Sequence, residues 1–297
     1  MAAFPPGVYT ALVTPFTPDG SSIDWDAYDR LLAEQLDAGI TGLIPAGTTG
    51  ESATLTDEEQ RDLARHTVQA AKGRARVVVG TGSNNTKKSV QASRVALEAG
   101  ADGVLLVTPY YSRPSQEGLF QHVKTIAEQI DAPIMLYNIP ARSAVELEVP
   151  TLLRLLDACP NVVALKDASG GVRYCQELLQ TAKEGVLVLS GDDALTLPSM
   201  SVGAQGVVSV ASNLYPRKVS EVVDLALAGR FSEALVLHRR LYPLYRALFS
   251  EPSPQPIKAA LAAANKMSAA VRSPLIQAGA ACRAELAQVV RALEAAS

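Results

Sequence analysis

Three cysteines, three histidines and one tryptophan are all that 297 residues hold of the side chains most used for metal, redox and stacking chemistry. Cys159, Cys175 and Cys282 are scattered and odd in number. They lack the paired spacing of a zinc site and the framework of a stapled secreted domain, and they suit reduced structural thiols. His66, His122 and His238 lie far apart, each inside a helical pattern, so neither a metal nor a cofactor is expected. An excess of one charge is also missing. Lys and Arg number 27 against 30 Asp and Glu, a net charge of -3 with no basic run, which argues against nucleic acid or an anionic membrane as partner. No uninterrupted apolar segment approaches the ~20 residues of a membrane span. The first residues, Met1-Ala2-Ala3-Phe4-Pro5-Pro6-Gly7, show no basic region followed by an apolar stretch. No secretory signal is therefore read there, and the cytoplasm is the expected compartment.

What the chain does have is core. Apolar residues make up 48% and charged residues 19%, enough for one large α/β domain or two smaller ones. Short β-rich runs recur at residues 8–14, 42–46, 76–81, 103–108, 133–138, 162–167, 186–191 and 206–210. Segments of helical character separate them. Residues 24–38 carry Leu31, Leu32 and Leu36 on one face; 56–71 open with Thr56-Asp57-Glu58-Glu59, an N-cap followed three residues later by Glu; 115–130 begin at a serine. Strict alternation of β and α implies right-handed parallel crossovers. Eight such units predict a (β/α)8 TIM barrel over residues 1–230. Three further Ala- and Leu-rich helices, at 231–249, 255–264 and 281–295, predict a C-terminal helical extension over 231–297. A doubly wound sheet fits less well: Gly80-Thr81-Gly82 lacks the third glycine of a dinucleotide turn, and Gly47-Thr48-Thr49-Gly50-Glu51 lacks the Gly-Lys-Ser/Thr ending of a phosphate loop.

One lysine stands out. Lys166 ends the apolar run Val162-Val163-Ala164-Leu165 and precedes Asp167-Ala168-Ser169-Gly170. A lysine at the mouth of a buried strand loses hydration, which favours the neutral amine that can attack a ketone. The eight other lysines, Lys72, Lys87 and Lys88 among them, are expected on the solvated surface. A strand-end lysine can also simply snorkel outward. In a barrel, however, residues just beyond the strand C-termini converge on one mouth. Here they include Thr48 and Thr49, then Ser83, Asn84 and Asn85, then Tyr110 and Tyr111, Tyr137, Asn138 and Arg142, Lys166, Gly191-Asp192-Asp193, and Val208-Ser209. The set holds an amine, phenols and hydroxyls to move protons, and a guanidinium for a carboxylate. Asp192 and Asp193 invite a metal reading, but neighbouring strand-end residues point to opposite sides, and an N-cap for the next helix is the expected role of one. A neutral amine with proton relays and no metal points to imine formation with a ketone, the chemistry of class I aldolases. Taken singly, each rim residue also has a structural role open to it: packing for the tyrosines, turn capping for the threonines, a surface ion pair for Arg142.

Gly47-Thr48-Thr49-Gly50-Glu51, Tyr110-Tyr111, Tyr137-Asn138-Ile139-Pro140-Ala141-Arg142, Leu165-Lys166-Asp167-Ala168-Ser169-Gly170 and Gly206-Val207-Val208-Ser209-Val210 resemble the signature set of the dihydrodipicolinate synthase / N-acetylneuraminate lyase family. The resemblance runs from Val8 past Glu251-Pro252-Ser253-Pro254, nearly the whole chain. The second Thr of the turn, Thr49, and an Arg two residues after the Pro of Tyr-Asn-Ile-Pro place it on the synthase branch, since sialic-acid lyases typically carry Ser-Thr and lack that arginine. The resemblance implies that Lys166 forms a Schiff base with pyruvate, whose carboxylate is held by backbone N–H groups around Thr48 and Thr49, with Val208 and Gly191 beside it. It implies that Tyr137 shuttles protons and that Thr48 links it to Tyr111, donated by a neighbouring subunit of a homo-oligomer, usually a dimer of dimers. Arg142 would bind the carboxylate of L-aspartate-4-semialdehyde, and the product would lead to diaminopimelate and lysine. Another pyruvate aldolase or dehydratase on the same scaffold, or a non-catalytic homologue, remains open at this point. One departure concerns regulation. Lysine-inhibited members place basic or imidazole side chains at Asp57 and Gln60 and a glutamate at Lys88, whereas Ser52, Ala53, Asn84 and Tyr110 match them. Lys88 would meet the ligand's ammonium with a like charge and Asp57 would oppose its carboxylate, so weak or absent inhibition by lysine is expected.

Overall fold

The computed structural model describes residues 4–182 and 185–295. Eight parallel strands close into a barrel in sequence order: β1 Gly7–Ala11, β2 Gly42–Ile44, β3 Arg76–Gly80, β4 Gly103–Val107, β5 Ile134–Asn138, β6 Val162–Asp167, β7 Leu187–Ser190 and β8 Gly206–Ser209. β1 pairs with both β2 and β8, which closes the ring. Around it run α1 Trp25–Asp37, α2 Asp57–Ala71, α3 Thr86–Glu98, α4 Gln116–Ala127, the short α5 Pro140–Ser143, α6 Val149–Ala158, α7 Val172–Thr181, the short α8 Thr196–Ser201 and α9 Pro216–Leu227. Then come α10 Phe231–Ala247, α11 Gln255–Ala263 and α12 Ala280–Ala295. The (β/α)8 TIM barrel with a helical C-terminal segment is thus confirmed.

The apolar runs work because both faces of each strand are buried. Side chains alternate across a strand, so one set must fill the barrel and the other must meet the helices. Tyr9, Val78, Leu105, Met135, Ala164 and Leu189 form the inner cluster. Val8, Val77, Val104, Leu136, Leu165 and Val188 belong to the outer one, which continues without a break into Leu244, Ile257 and Leu286 of α10, α11 and α12. Helix starts follow local chemistry. Thr56 and Glu59 form the expected reciprocal capping box of α2. Asp24 caps α1, Asn85 caps α3 and Ser115 caps α4.

Several strands stop short of the apolar runs. Pro45 follows β2, and Ala46 adopts φ 54°. Beyond Leu12, whose N–H still donates to the Ile44 carbonyl, the chain leaves the β1–β2 ladder: the Val13 N–H donates to Asn213 Oδ1 and Thr14 Oγ1 donates to the Gly50 carbonyl. Where the ladder ends, backbone is free to form loops, and these loops make the mouth. Among the described residues, no helix is long and apolar enough to cross a membrane.

Candidate active site

Strand parity decides what reaches the barrel interior. Lys166 shares the inward phase with Ala164, Tyr137 with Met135, and Gly191 with Leu187 and Leu189, while Val208 belongs to the inner cluster itself. Tyr137 and Lys166 sit opposite each other in the β5–β6 register. The Lys166 Nζ lies 3.9 Å from the centroid of the Tyr137 ring. Both side chains are buried, at 6% and 5% exposure.

Burial pulls the Lys166 ammonium from its ordinary 10.5 down to about 7, with the Asp193 carboxylate opposing the shift and the Arg142 charge adding to it. At pH 7 such a lysine is about half neutral, against roughly one part in 3,000 for an unperturbed one. Burial likewise pushes Tyr137 up to about 12, partly offset by the Arg142 charge and a hydrogen bond with Thr48. Tyr137 is therefore a neutral phenol, able to donate a proton beside a free amine.

Gly191 has the Lys166 chain for a neighbour. A Cβ on it would lie 2.8 Å from Ala168 Cβ and 3.1 Å from Lys166 Cε, so a side chain there would crowd Ala168 and press on the lysine. Its N–H donates to the Asp167 carbonyl at 2.6 Å. Across the mouth, the turn at Gly47–Glu51 folds on itself through Glu51 N–H to Thr48 O and Ser52 N–H to Gly47 O. The N–H groups of Thr48 and Thr49 find no protein acceptor among the described residues, which leaves two adjacent donors for an anion. Arg142, on α5, is exposed and points a guanidinium N–H at the Ser253 carbonyl, 3.4 Å away.

Other rim residues have structural work. Asn85 caps α3, Ser83 and Ser89 bond to each other's loop, and Asn138 Oδ1 accepts from the Leu147 N–H. Asp192 accepts from the Ala194 N–H as an N-cap, as expected of one of the two aspartates. Asp193 is buried and accepts from Ser209 Oγ at 2.5 Å, Val210 N–H at 2.9 Å and Ala211 N–H at 3.1 Å. Burial lifts it to about 6 despite these three donors. It thereby pins the end of β8, where Val208 lies, and places a carboxylate near Lys166. Tyr111 does not join the cluster within the chain. Its side chain is 90% exposed, on a backbone with φ 72°.

The Dihydrodipicolinate synthetase family model matches residues 5–293. A curated 4-hydroxy-tetrahydrodipicolinate synthase of Sorangium cellulosum is 54% identical over 289 residues, covering 97% of this chain and 96% of that one. This chain belongs to the dihydrodipicolinate synthetase family. It is an enzyme of that family, a lyase. The structure of the 4-hydroxy-tetrahydrodipicolinate synthase of Methylacidiphilum fumariolicum SolV superposes with a TM-score of 0.96 at 45% identity, over 98% of this chain and 96% of that chain. The dihydrodipicolinate synthase of Aquifex aeolicus gives 0.94 at 40% identity, over 96% and 97%.

One expectation for this family member is corrected. Lys183 lies outside the described residues, and of the other lysines Lys258 is not solvated but fully buried. Its ammonium donates to Glu51 Oε1 at 2.5 Å and to the Ala270 carbonyl at 2.8 Å, and stands 4.1 Å from the Phe16 ring centroid. Burial lowers it to about 8, with Glu51 opposing that shift. The signal was present in Pro256-Ile257-Lys258-Ala259-Ala260-Leu261, an apolar setting like that of Lys166, but a helix hides which face is inward.

Proposed function

We propose that this enzyme condenses pyruvate with L-aspartate-4-semialdehyde to 4-hydroxy-tetrahydrodipicolinate through a Schiff base on Lys166, the committed step toward diaminopimelate and lysine. The observation that carries this reading is the buried, half-neutral Lys166 amine beside the Tyr137 phenol at a barrel mouth. The relatives' shared name supports the substrate pair. In the first step the Lys166 nitrogen bonds to C2 of pyruvate and the carbonyl oxygen, protonated through Tyr137, leaves as water. Loss of a C3 proton then gives an enamine, whose carbon attacks the aldehyde carbon of the second substrate. The amino group of that substrate finally displaces Lys166 from the imine carbon, closing the ring and freeing the lysine.

The remaining roles follow from position. The Thr48 and Thr49 N–H groups receive the pyruvate carboxylate, with Gly191 and Val208 lining the space beside it. Arg142 takes the semialdehyde carboxylate, a bidentate contact that a lysine does not reproduce. Tyr111 completes the Thr48–Tyr137 relay from a second subunit, which fits a side chain standing out into solvent on the isolated chain. A homo-oligomer, arranged as a dimer of dimers in the cytoplasm, is the assembly we assign. Residues 1–230 supply the barrel and 231–297 the extension. Feedback by lysine is weak or absent, because Lys88 and Asp57 carry the wrong charges for that ligand and the Gln60 amide is already engaged with the Ser52 carbonyl at 3.1 Å.

Borohydride reduction in the presence of pyruvate, read by intact mass and peptide mapping, tests the Schiff base: an adduct on Lys166 is expected, and its absence refutes the mechanism. A turnover assay with pyruvate and L-aspartate-4-semialdehyde, run beside sialic-acid and keto-sugar-acid reactions, tests the substrate pair. Preference for either alternative would overturn it.

A further inference from the structure

The turn that offers its N–H groups at the mouth is tied to the C-terminal segment. Glu51, its last residue, sits at φ 58° and ψ 38°, a left-handed conformation unfavourable for a residue with a Cβ. Ala46, at the other end, is also left-handed, at φ 54°. Something must hold the chain there, and the contacts show what. Glu51 Oε1 accepts from the Lys258 ammonium of α11, and Oε2 accepts from the Arg272 N–H at 2.9 Å. Both ionic side chains are fully buried. Lys258 Nζ also donates to the Ala270 carbonyl, so one ammonium ties the turn, α11 and the segment beyond it. Two cations stand over the Phe16 ring, Lys258 Nζ at 4.1 Å and the Arg272 guanidinium at 4.3 Å from its centroid. Arg272 in turn grips Glu59 through two hydrogen bonds, at 2.6 and 2.7 Å, and reaches the Thr54 and Gly20 carbonyls. The Ser253 carbonyl, just before α11, accepts from Arg142.

A buried ion pair is a costly way to gain stability alone, because both charges must leave water, and apolar residues of similar volume often serve as well. What such a pair does supply is direction: a carboxylate fixed at both oxygens cannot rotate, and the backbone that carries it cannot relax. We propose that Glu51 and Lys258 are positioning residues that lock the Thr48–Thr49 turn in its carboxylate-receiving form, so that the C-terminal helices form part of the pyruvate site. This deepens the reading of that turn as the pyruvate carboxylate cradle and rests on it.

The test is the pyruvate concentration that half-saturates borohydride trapping on Lys166 in the full-length enzyme. Glu51→Gln, which keeps shape, and Lys258→Met are compared with the double variant and with Lys266→Met. Lys266→Met removes another tie of the same segment to the barrel, the Lys266–Glu34 ion pair, away from the turn. Half-saturation is expected to rise at least tenfold in Glu51→Gln and in Lys258→Met, with the adduct still on Lys166, and to stay within twofold of wild type in Lys266→Met. The double variant is expected to regain thermal stability relative to Lys258→Met, since no lone buried charge remains, while keeping the raised half-saturation. Variants that lose stability but keep wild-type half-saturation refute the proposal, as does a double variant that recovers it. If Lys258→Met fails to fold, Glu51→Gln and the double variant decide the matter in the same way. Wild-type enzyme that traps no pyruvate would instead overturn the Schiff-base reading, and this inference with it.

Discussion

A lysine kept half neutral by burial should cost the fold stability, and the cost can be worked out. Lys166 falls from 10.5 to about 7 on folding, chiefly through desolvation. Between these two values the unfolded chain holds a proton that the folded chain gives up, so stability rises with pH across that window and is lowest, and flat, below about 7. At about 1.4 kcal/mol per tenfold, the full cost at pH 7 approaches about 4 kcal/mol, and water entering the mouth trims it. Lys166→Met keeps the length of the chain and removes the charge, so it is expected to stabilise the protein by about 2–4 kcal/mol at pH 7. For a domain of this size that is a rise in Tm of about 4–8 °C. The gain should fade by about 1.4 kcal/mol per pH unit as pH climbs from 7 toward 10. Calorimetry of wild type and Lys166→Met at pH 6, 7.5 and 9 reads this directly, at matched protein concentration so that assembly does not intrude. A variant no more stable than wild type at pH 6 and 7.5 would mean that the amine is solvated and charged, and the account of its nucleophilicity would fall with it. The same logic fixes kinetics: the rate of pyruvate adduct formation should climb with pH through about 7 and then level, where an ordinary lysine would still be climbing at pH 9.

Tyr111→Phe should cut turnover by about 10²-fold or more while leaving the pyruvate adduct detectable, and unchanged turnover would remove Tyr111 from the relay. Arg142→Lys should raise KM for the semialdehyde by about tenfold or more with pyruvate half-saturation within twofold; equal effects on both substrates would refute a carboxylate-specific role. Gly191→Ala should lose most pyruvate trapping, because its methyl would meet Ala168 Cβ at 2.8 Å and Lys166 Cε at 3.1 Å, and normal trapping would show that the lysine has another place to go. Lysine should leave activity at half or more at millimolar concentration, whereas half-maximal inhibition at submillimolar lysine would overturn the charge argument built on Asp57 and Lys88.

Much of the barrel is legible in the sequence because a strand with two buried faces has no polar alternation to blur it. Once the strand ends are placed, parity alone sends Lys166, Tyr137 and Gly191 inward. What stays hidden is of two kinds. The first is partnership over long separations: nothing in Gly50-Glu51-Ser52 announces a lysine more than 200 residues away, and Lys258 reads as one more charge on an amphipathic helix until its face is known. The second is the partnership with another chain that we propose for Tyr111. Tyr111 carries a motif, yet within one chain it is an exposed tyrosine on a strained backbone. Both failures share a cause. Periodicity reports which side of an element is buried, while the chemistry at this mouth depends on which elements face one another across it. The left-handed turn at Glu51 shows the consequence, since Gly47-Thr48-Thr49-Gly50-Glu51 has the residues for an anion cradle, but its shape is held by groups that no local pattern contains.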